Sequence, residues 1–160
     1  KQFDKYWDKK SNFRFFDYAS LDKNKNFVIH GRLDDVINIR GHRIGSAEVE
    51  SVLLKDKDIY EVCAIGVEDE LEGDLLIIFI ASKHKDLDQI IKKIIIENFG
   101  IFAVPKFIFY IPEMPKTRSG KILRRSLRDL YNNPDTGKMG DLSTMVNPRS
   151  IDEIRKVLKN

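Results

Sequence analysis

Two apolar runs on either side of an acidic stretch constrain the fold of this chain most. Residues 59–67 and 75–81 are β-rich, and Glu68-Asp69-Glu70-Leu71-Glu72-Gly73-Asp74 connects them. Runs of that length bounded by polar residues read as two strands. The carboxylates between them invite a metal-site reading, but a solvated turn is the better account. A third strand is expected over 106–111, bracketed by Pro105 and Pro112. Between the second and third strands, Leu87, Ile90, Ile91, Ile94 and Ile95 fall on one helical face, opened by Asp86 and closed by Gly100.

Upstream, 36–39 reads as a short strand, Arg40-Gly41 as the turn and 42–44 as the return. Ser46 is placed to cap a helix running to Leu54, with Glu48 near its positive end. Asn and Lys residues between Leu21 and Phe27-Val28-Ile29 mark another hairpin turn. A helix is expected after Lys121, with Ile122, Leu123, Leu127 and Leu130 inward and Arg124, Arg125 and Arg128 outward in solvent. Asn147-Pro148 starts a last helix, proline suiting its first position. The expected fold is therefore α+β: a small domain with a two-stranded hairpin and a sheet of roughly three strands flanked by helices.

Composition narrows the function classes. In 160 residues, 28 basic and 25 acidic side chains are interspersed for a net charge of +3, which is no footprint for nucleic acid or an anionic membrane. No apolar stretch reaches the roughly 18 residues of a membrane-spanning helix. The single cysteine, Cys63, lies in an apolar run and reads as a buried small residue, and one cysteine fits a reducing compartment; the cytoplasm is expected, with the nucleus or an organelle as alternatives. His30, His42 and His84 have no ligand spacing. The chain opens on Lys1-Gln2, and its first 30 residues carry more aromatics (Tyr6-Trp7, Phe13, Phe15, Phe16) than so short a stretch can cover. Both features lead to the expectation of a piece of a longer protein.

The chemistry concentrates in three places. Pro115-Lys116-Thr117-Arg118-Ser119-Gly120-Lys121-Ile122 sets cations and hydroxyls in a glycine-containing turn from which Lys121 emerges. A fixed ammonium suits an anion whose charge grows during reaction. It is not a phosphate loop: the upstream glycine is absent, and Ile122 stands where a magnesium-holding hydroxyl would be. Gly41-His42-Arg43-Ile44-Gly45 puts a basic pair between glycines ahead of a helix, which suits an anion; by itself it is better read as an ordinary hairpin with an exposed arginine. Asp34-Asp35 are neighbours, which a strand would point to opposite faces, so a hinge or structural role fits better than an acid–base pair.

Taken in order, Gly31-Arg32-x-Asp34-Asp35, Gly41-His42-Arg43-Ile44-Gly45-Ser46-Ala47-Glu48-Val49-Glu50 and the lysine turn resemble the C-terminal part of adenylate-forming acyl-CoA synthetases. The likeness is strongest to acetyl-CoA synthetases, whose terminal Gly-Asp-x-Ser-Thr pattern recurs as Gly140-Asp141-Leu142-Ser143-Thr144, and it covers about residues 6–160. The resemblance implies an AMP-forming acid–thiol ligase using ATP, acetate and coenzyme A. Magnesium and most of the nucleotide site would lie in a large N-terminal domain. It implies 1–33 as the tail of that domain, 34–133 as the mobile lysine-bearing domain and 134–160 as its C-terminal linker and helix. It assigns Lys121 to adenylation, Asp34 to the hinge, and Asp17, Arg32 and Arg43 to ATP or AMP. Gly41, His42 and Arg43 would line the coenzyme A path. It further implies silencing by acetylation of Lys121, and hence an acetyltransferase and a deacetylase as partners. Two departures stand out: Phe15-Phe16-Asp17-Tyr18 replaces the family's Thr-Gly-Asp-Gly, and Ile96 sits where some members carry a basic contact to coenzyme A phosphate, so that either Lys93, Lys106 or another cation substitutes or that phosphate is bound more weakly. The alternatives are a synthetase for propionate or another short acid and, from another class, a non-catalytic basic module using its arginine helix.

Overall fold

The computed structural model describes Trp7, residues 12–135 and residues 145–159. The first unit is an antiparallel hairpin of β1 (Asp17–Leu21) and β2 (Phe27–Arg32). Asp22 closes it as the side-chain acceptor that a tight turn needs: its Oδ1 takes the N–H groups of Asn24 and Asn26 at 2.8 and 2.9 Å. A 3-10 turn over Leu33–Asp35 leads into β3 (Val36–Ile39) and β4 (His42–Gly45), the hairpin expected around Arg40-Gly41. Next come α1 (Ser46–Leu53), β5 (Ile59–Asp69), β6 (Gly73–Ser82), α2 (Asp88–Phe99) and β7 (Phe107–Tyr110). Two helices follow, α3 (Arg124–Asn132) and α4 (Ser150–Lys159).

The α+β architecture is as the sequence implies. The three expected strands are β5, β6 and β7, and the β3–β4 hairpin extends them to a five-stranded sheet. β5 pairs antiparallel along one edge of β6. The other edge is shared by β3, which meets it at Ile39–Gly73, and β7, which runs parallel to it over Ile77–Ile80. The parallel step is made by the α2 crossover, as a parallel connection requires. Gly73 can make the β3 contact only as glycine: its φ is +82°, and a Cβ would lie 2.7 Å from the Asn38 carbonyl oxygen.

β6 is apolar continuously because both its faces are covered. Leu76, Ile78 and Ile80 pack with Val49, Leu53, Ile91 and Ile95 of α1 and α2. Ile77 and Phe79 face the other way, against Leu127, Leu130, Ile151 and Ile154 of α3 and α4. The strand's period of two thus sorts one apolar run into two cores. Cys63 is buried in the second.

Helix boundaries depart from the sequence reading in ways with local causes. Ser46 is not a cap but the first helical residue, its Oγ donating to the Asp35 carbonyl at 2.7 Å. The reciprocal half of a cap is present instead, with Gly45 N–H donating to Glu48 Oε2 at 3.2 Å. α2 starts at Asp88 rather than Asp86, where the Tyr110 hydroxyl accepts Leu87 N–H at 2.9 Å and donates to Asp88 Oδ1 at 2.6 Å. Ile90 lies on the outer side of that helix, 44% exposed, while Gly100 ends it at φ +99° as expected. α4 begins at Ser150, two residues past Pro148.

Candidate functional site

The lysine turn is a small hairpin held by its own backbone. Thr117 N–H donates to the Lys121 carbonyl and Gly120 N–H to that of Thr117, both at 2.9 Å, while Lys116 and Ile122 form an antiparallel bridge. Thr117 Oγ1 accepts Lys121 N–H at 3.1 Å, and Gly120 takes the left-handed φ of +80° that the tip demands. The turn's outer edge pairs with a later segment: Thr117 bridges Met145, Val146 N–H donates to the Lys116 carbonyl at 3.0 Å, and Asn147 joins Lys116 N–H to the Met114 carbonyl. This backbone pairing, rather than helix, occupies residues 116–122, so α3 starts only at Arg124.

Lys121 is exposed and makes no ion pair among the described residues. It lines an open groove of about 460 Å³ together with Arg32, Asp35, Thr117, Arg124 and Arg125. That groove therefore meets the short 3-10 turn joining the two sheets, in which Asp34 lies. Asp34 and Asp35 are in this turn and not in a strand, so the strand argument separating them does not apply; Asp35 faces the lysine groove. Asp17 and Arg32, expected together, are cross-strand partners, with Arg32 Nη1 3.5 Å from Asp17 Oδ1 and 3.0 Å from the Phe15 carbonyl.

The glycine loop is at the far end of β3, three residue rises from Val36, or about 10 Å away. Gly41 has φ +83° and open space where a Cβ would point. His42 stacks on Phe102 with ring centroids 4.1 Å apart. Arg43 turns to a different depression, beside Tyr18 and Asn38, so the structure does not bring it to the lysine groove. A third depression, of about 260 Å³, runs past Phe102 with Arg40 and Lys106 on its wall. Ile96 is exposed on the last turn of α2, and Lys93 is engaged with Glu97 at 3.9 Å.

The arginine face of α3 corrects an expectation. Arg124 is ion-paired with the buried Glu50 of α1, and Arg128 Nε donates to the Gly66 carbonyl at 2.9 Å; of the three, Arg125 alone is exposed. Burial works against the Arg124 charge, but the hydrogen bond and the charge of Glu50 more than offset it and raise its pKa. Two of the three cations are therefore engaged within the fold instead of standing free in solvent. Glu50, part of the glycine-loop motif, shares the inward stripe of α1 with Ser46, Val49 and Leu53, a burial that the motif alone does not reveal. A carboxylate on such a stripe demands a buried cation.

Among the described residues no group of three or more His, Cys, Asp or Glu could hold a metal, and no helix is long and apolar enough to cross a membrane. The Gly140-Asp141-Leu142-Ser143-Thr144 pattern lies outside the described residues.

Residues 48–121 match the family model of the AMP-binding enzyme C-terminal domain. The acetyl-coenzyme A synthetase 2 of Candida albicans is 37% identical over 145 residues, spanning 86% of this chain and 22% of the relative. The acetyl-coenzyme A synthetase of Leptospira biflexa is 38% identical over 162 residues, 95% of this chain and 24% of the relative. The chain thus spans about a fifth of the length of the curated relatives it matches. In fold it is similar to ATP-bound MatB from Rhodopseudomonas palustris, with a TM-score of 0.73 at 19% identity over 85% of this chain and 27% of that one. A fatty acyl CoA synthetase of Mycobacterium tuberculosis gives a TM-score of 0.64 at 27% identity, over 81% of this chain and 26% of that one.

Proposed function

We propose that this chain, which belongs to the AMP-binding enzyme C-terminal domain family, is the lysine-bearing part of an acetyl-CoA synthetase, an AMP-forming acid–thiol ligase. The observation that carries the reading is an exposed ammonium, with no ion pair among the described residues, on a braced turn facing a groove at the junction of the two sheets. In the first half-reaction an acetate oxygen attacks the α-phosphorus of ATP and pyrophosphate leaves. Lys121 bridges the acetate carboxylate and the α-phosphate, holding two mutually repelling anions in reach and offsetting the charge that builds on the phosphoryl oxygens. Arg32 and Asp17 take the ribose hydroxyls. Magnesium travels with ATP and is held by the larger upstream domain, residues 1–33 being the end of that domain.

In the second half-reaction the thiol sulfur of coenzyme A attacks the acetyl carbonyl and AMP leaves. Residues 34–133 turn about Asp34 and present the opposite end of β3. Gly41 and His42 then line the thiol's path, Arg43 contacts phosphate, and Lys106 supplies the cation that Ile96 lacks. Support for two alternating faces comes from the roughly 10 Å of β3 between the hinge turn and the glycine loop. Acetylation of the exposed Lys121 by an acetyltransferase would remove its charge and stop the first step, and a deacetylase would restore it. The compartment that fits is the cytoplasm. A synthetase of propionate or another short acid would use this part of the protein in the same way, since acyl choice belongs to the upstream domain.

The test is made on the full-length protein that carries this chain. It should release pyrophosphate only when acetate and ATP are both supplied. Gly41→Leu should slow thioester formation from supplied acetyl-adenylate by about tenfold or more, a loss of about 1.4 kcal/mol in transition-state stabilisation, and leave adenylation within about twofold. Pyrophosphate release independent of any short carboxylic acid would overturn the proposal.

A further inference from the structure

The lysine turn stands on two feet, and each is held by a carboxylate from the α1–β5 layer. At the first foot, Lys116 is ion-paired with Glu61 of β5, whose other oxygen lies 3.4 Å from Met114 N–H. At the second, Arg124 grips Glu50 of α1 through two nitrogens, Nε to Oε1 at 3.1 Å and Nη2 to Oε2. Glu50 Oε1 also accepts Ala64 N–H at 3.0 Å, which fixes the carboxylate to the central sheet as well as to its own helix.

These pairs differ from ordinary surface ion pairs. Glu50 is only 8% exposed and Glu61 is half-buried, so parting either from its cation would leave a charge poorly solvated. A two-pronged arginine grip also fixes orientation, which a single-point contact does not. Lys116 and Arg124 bracket the tip at Lys121, and the backbone bonds between them make the turn one rigid piece. Fixing its two feet therefore fixes where the ammonium stands.

We infer that Glu50 and Glu61 are positioning residues for Lys121, anchoring the two feet of its turn so that the ammonium meets the reacting carboxylate and phosphate in one geometry. The inference rests on the adenylation role proposed for Lys121. A displacement of about 1 Å at a reacting group can cost about a hundredfold in rate, which sets the scale of what loosening a foot can do.

The experiment uses the full-length protein and compares Glu50→Gln, Glu61→Gln and Lys121→Ala in three measurements: acetyl-adenylate formation, thioester formation from supplied acetyl-adenylate, and thermal unfolding. Both glutamine variants should lower the kcat of adenylation roughly tenfold or more, with KM for ATP and acetate and the thioester step within about twofold. Glu50→Gln combined with Arg124→Gln should be no slower than the worse single change, because either alone already frees that foot. Equal losses in both half-reactions, or a lowered melting temperature with adenylation unchanged, would overturn the inference by reducing the pairs to scaffolding. If Glu50→Gln does not fold, Glu61→Gln, at the less buried foot, decides the question. Should Lys121→Ala spare adenylation, the parent reading fails; should it alone be selective, only the positioning role fails.

Discussion

The proposed chemistry rests on single residues, and each is defined by what the fold does to its charge. Lys121 stays exposed while Lys116 and Arg124, close by in sequence, are consumed by ion pairs. Cys63 shows the opposite treatment. Burial first, and then the negative charge of Glu50, push its thiol far above its ordinary pKa. A raised pKa means the thiolate is suppressed at every working pH, so the folded protein should not react with a thiol reagent at pH 8 over minutes. Denaturant should expose one reactive thiol per chain; rapid labelling of the folded protein would contradict this burial. The identity of Cys63 as a core residue was plain from its apolar run. Glu50's partner was not, because Arg124 lies 74 positions away and only the sheet brings them together.

At the scale of elements, strands were easier to read than helix ends. The runs at 59–67 and 75–81 declare themselves through β-rich composition, whereas the start of α3 depends on residues 116–122 being bridged to each other and to Met145. No local signal reports a pairing of that range. The attachment of β3 to the sheet was hidden for the same reason, since it rests on Ile39 meeting Gly73. Gly73→Ala should destabilise the protein by roughly 1–3 kcal/mol, from the left-handed backbone and the clash with the Asn38 carbonyl together. Chemical denaturation measures it, and an unchanged midpoint would show that the contact yields freely. The same two connections are joined by Arg40 and Glu72. The Arg40 hydrogen bond lowers the Glu72 pKa, so the pair's contribution is complete above the ordinary carboxylate value and fades as pH falls through the lowered folded one. Carboxyl NMR should find Glu72 titrating below the ordinary glutamate value, and Arg40→Gln should raise it.

For the molecule as a whole, the two sheets meet at residues 33–35, and the lysine groove opens at that junction while the glycine loop lies at the other end of β3. Both candidate segments were legible because each is a short run of glycine and cations. Their separation, and the groove shared by Lys121 with Arg32 and Asp35, are consequences of tertiary packing. The central claim is that Lys121 serves adenylation and not thioester formation. It is tested most directly by single-turnover kinetics of Lys121→Ala in the full-length protein, following acetyl-adenylate formation from ATP and acetate and, separately, acetyl transfer from supplied acetyl-adenylate to coenzyme A. The account predicts that the first step slows by roughly a hundredfold or more while the second stays within about twofold. Equal slowing of the two steps, or an unimpaired first step, would contradict it.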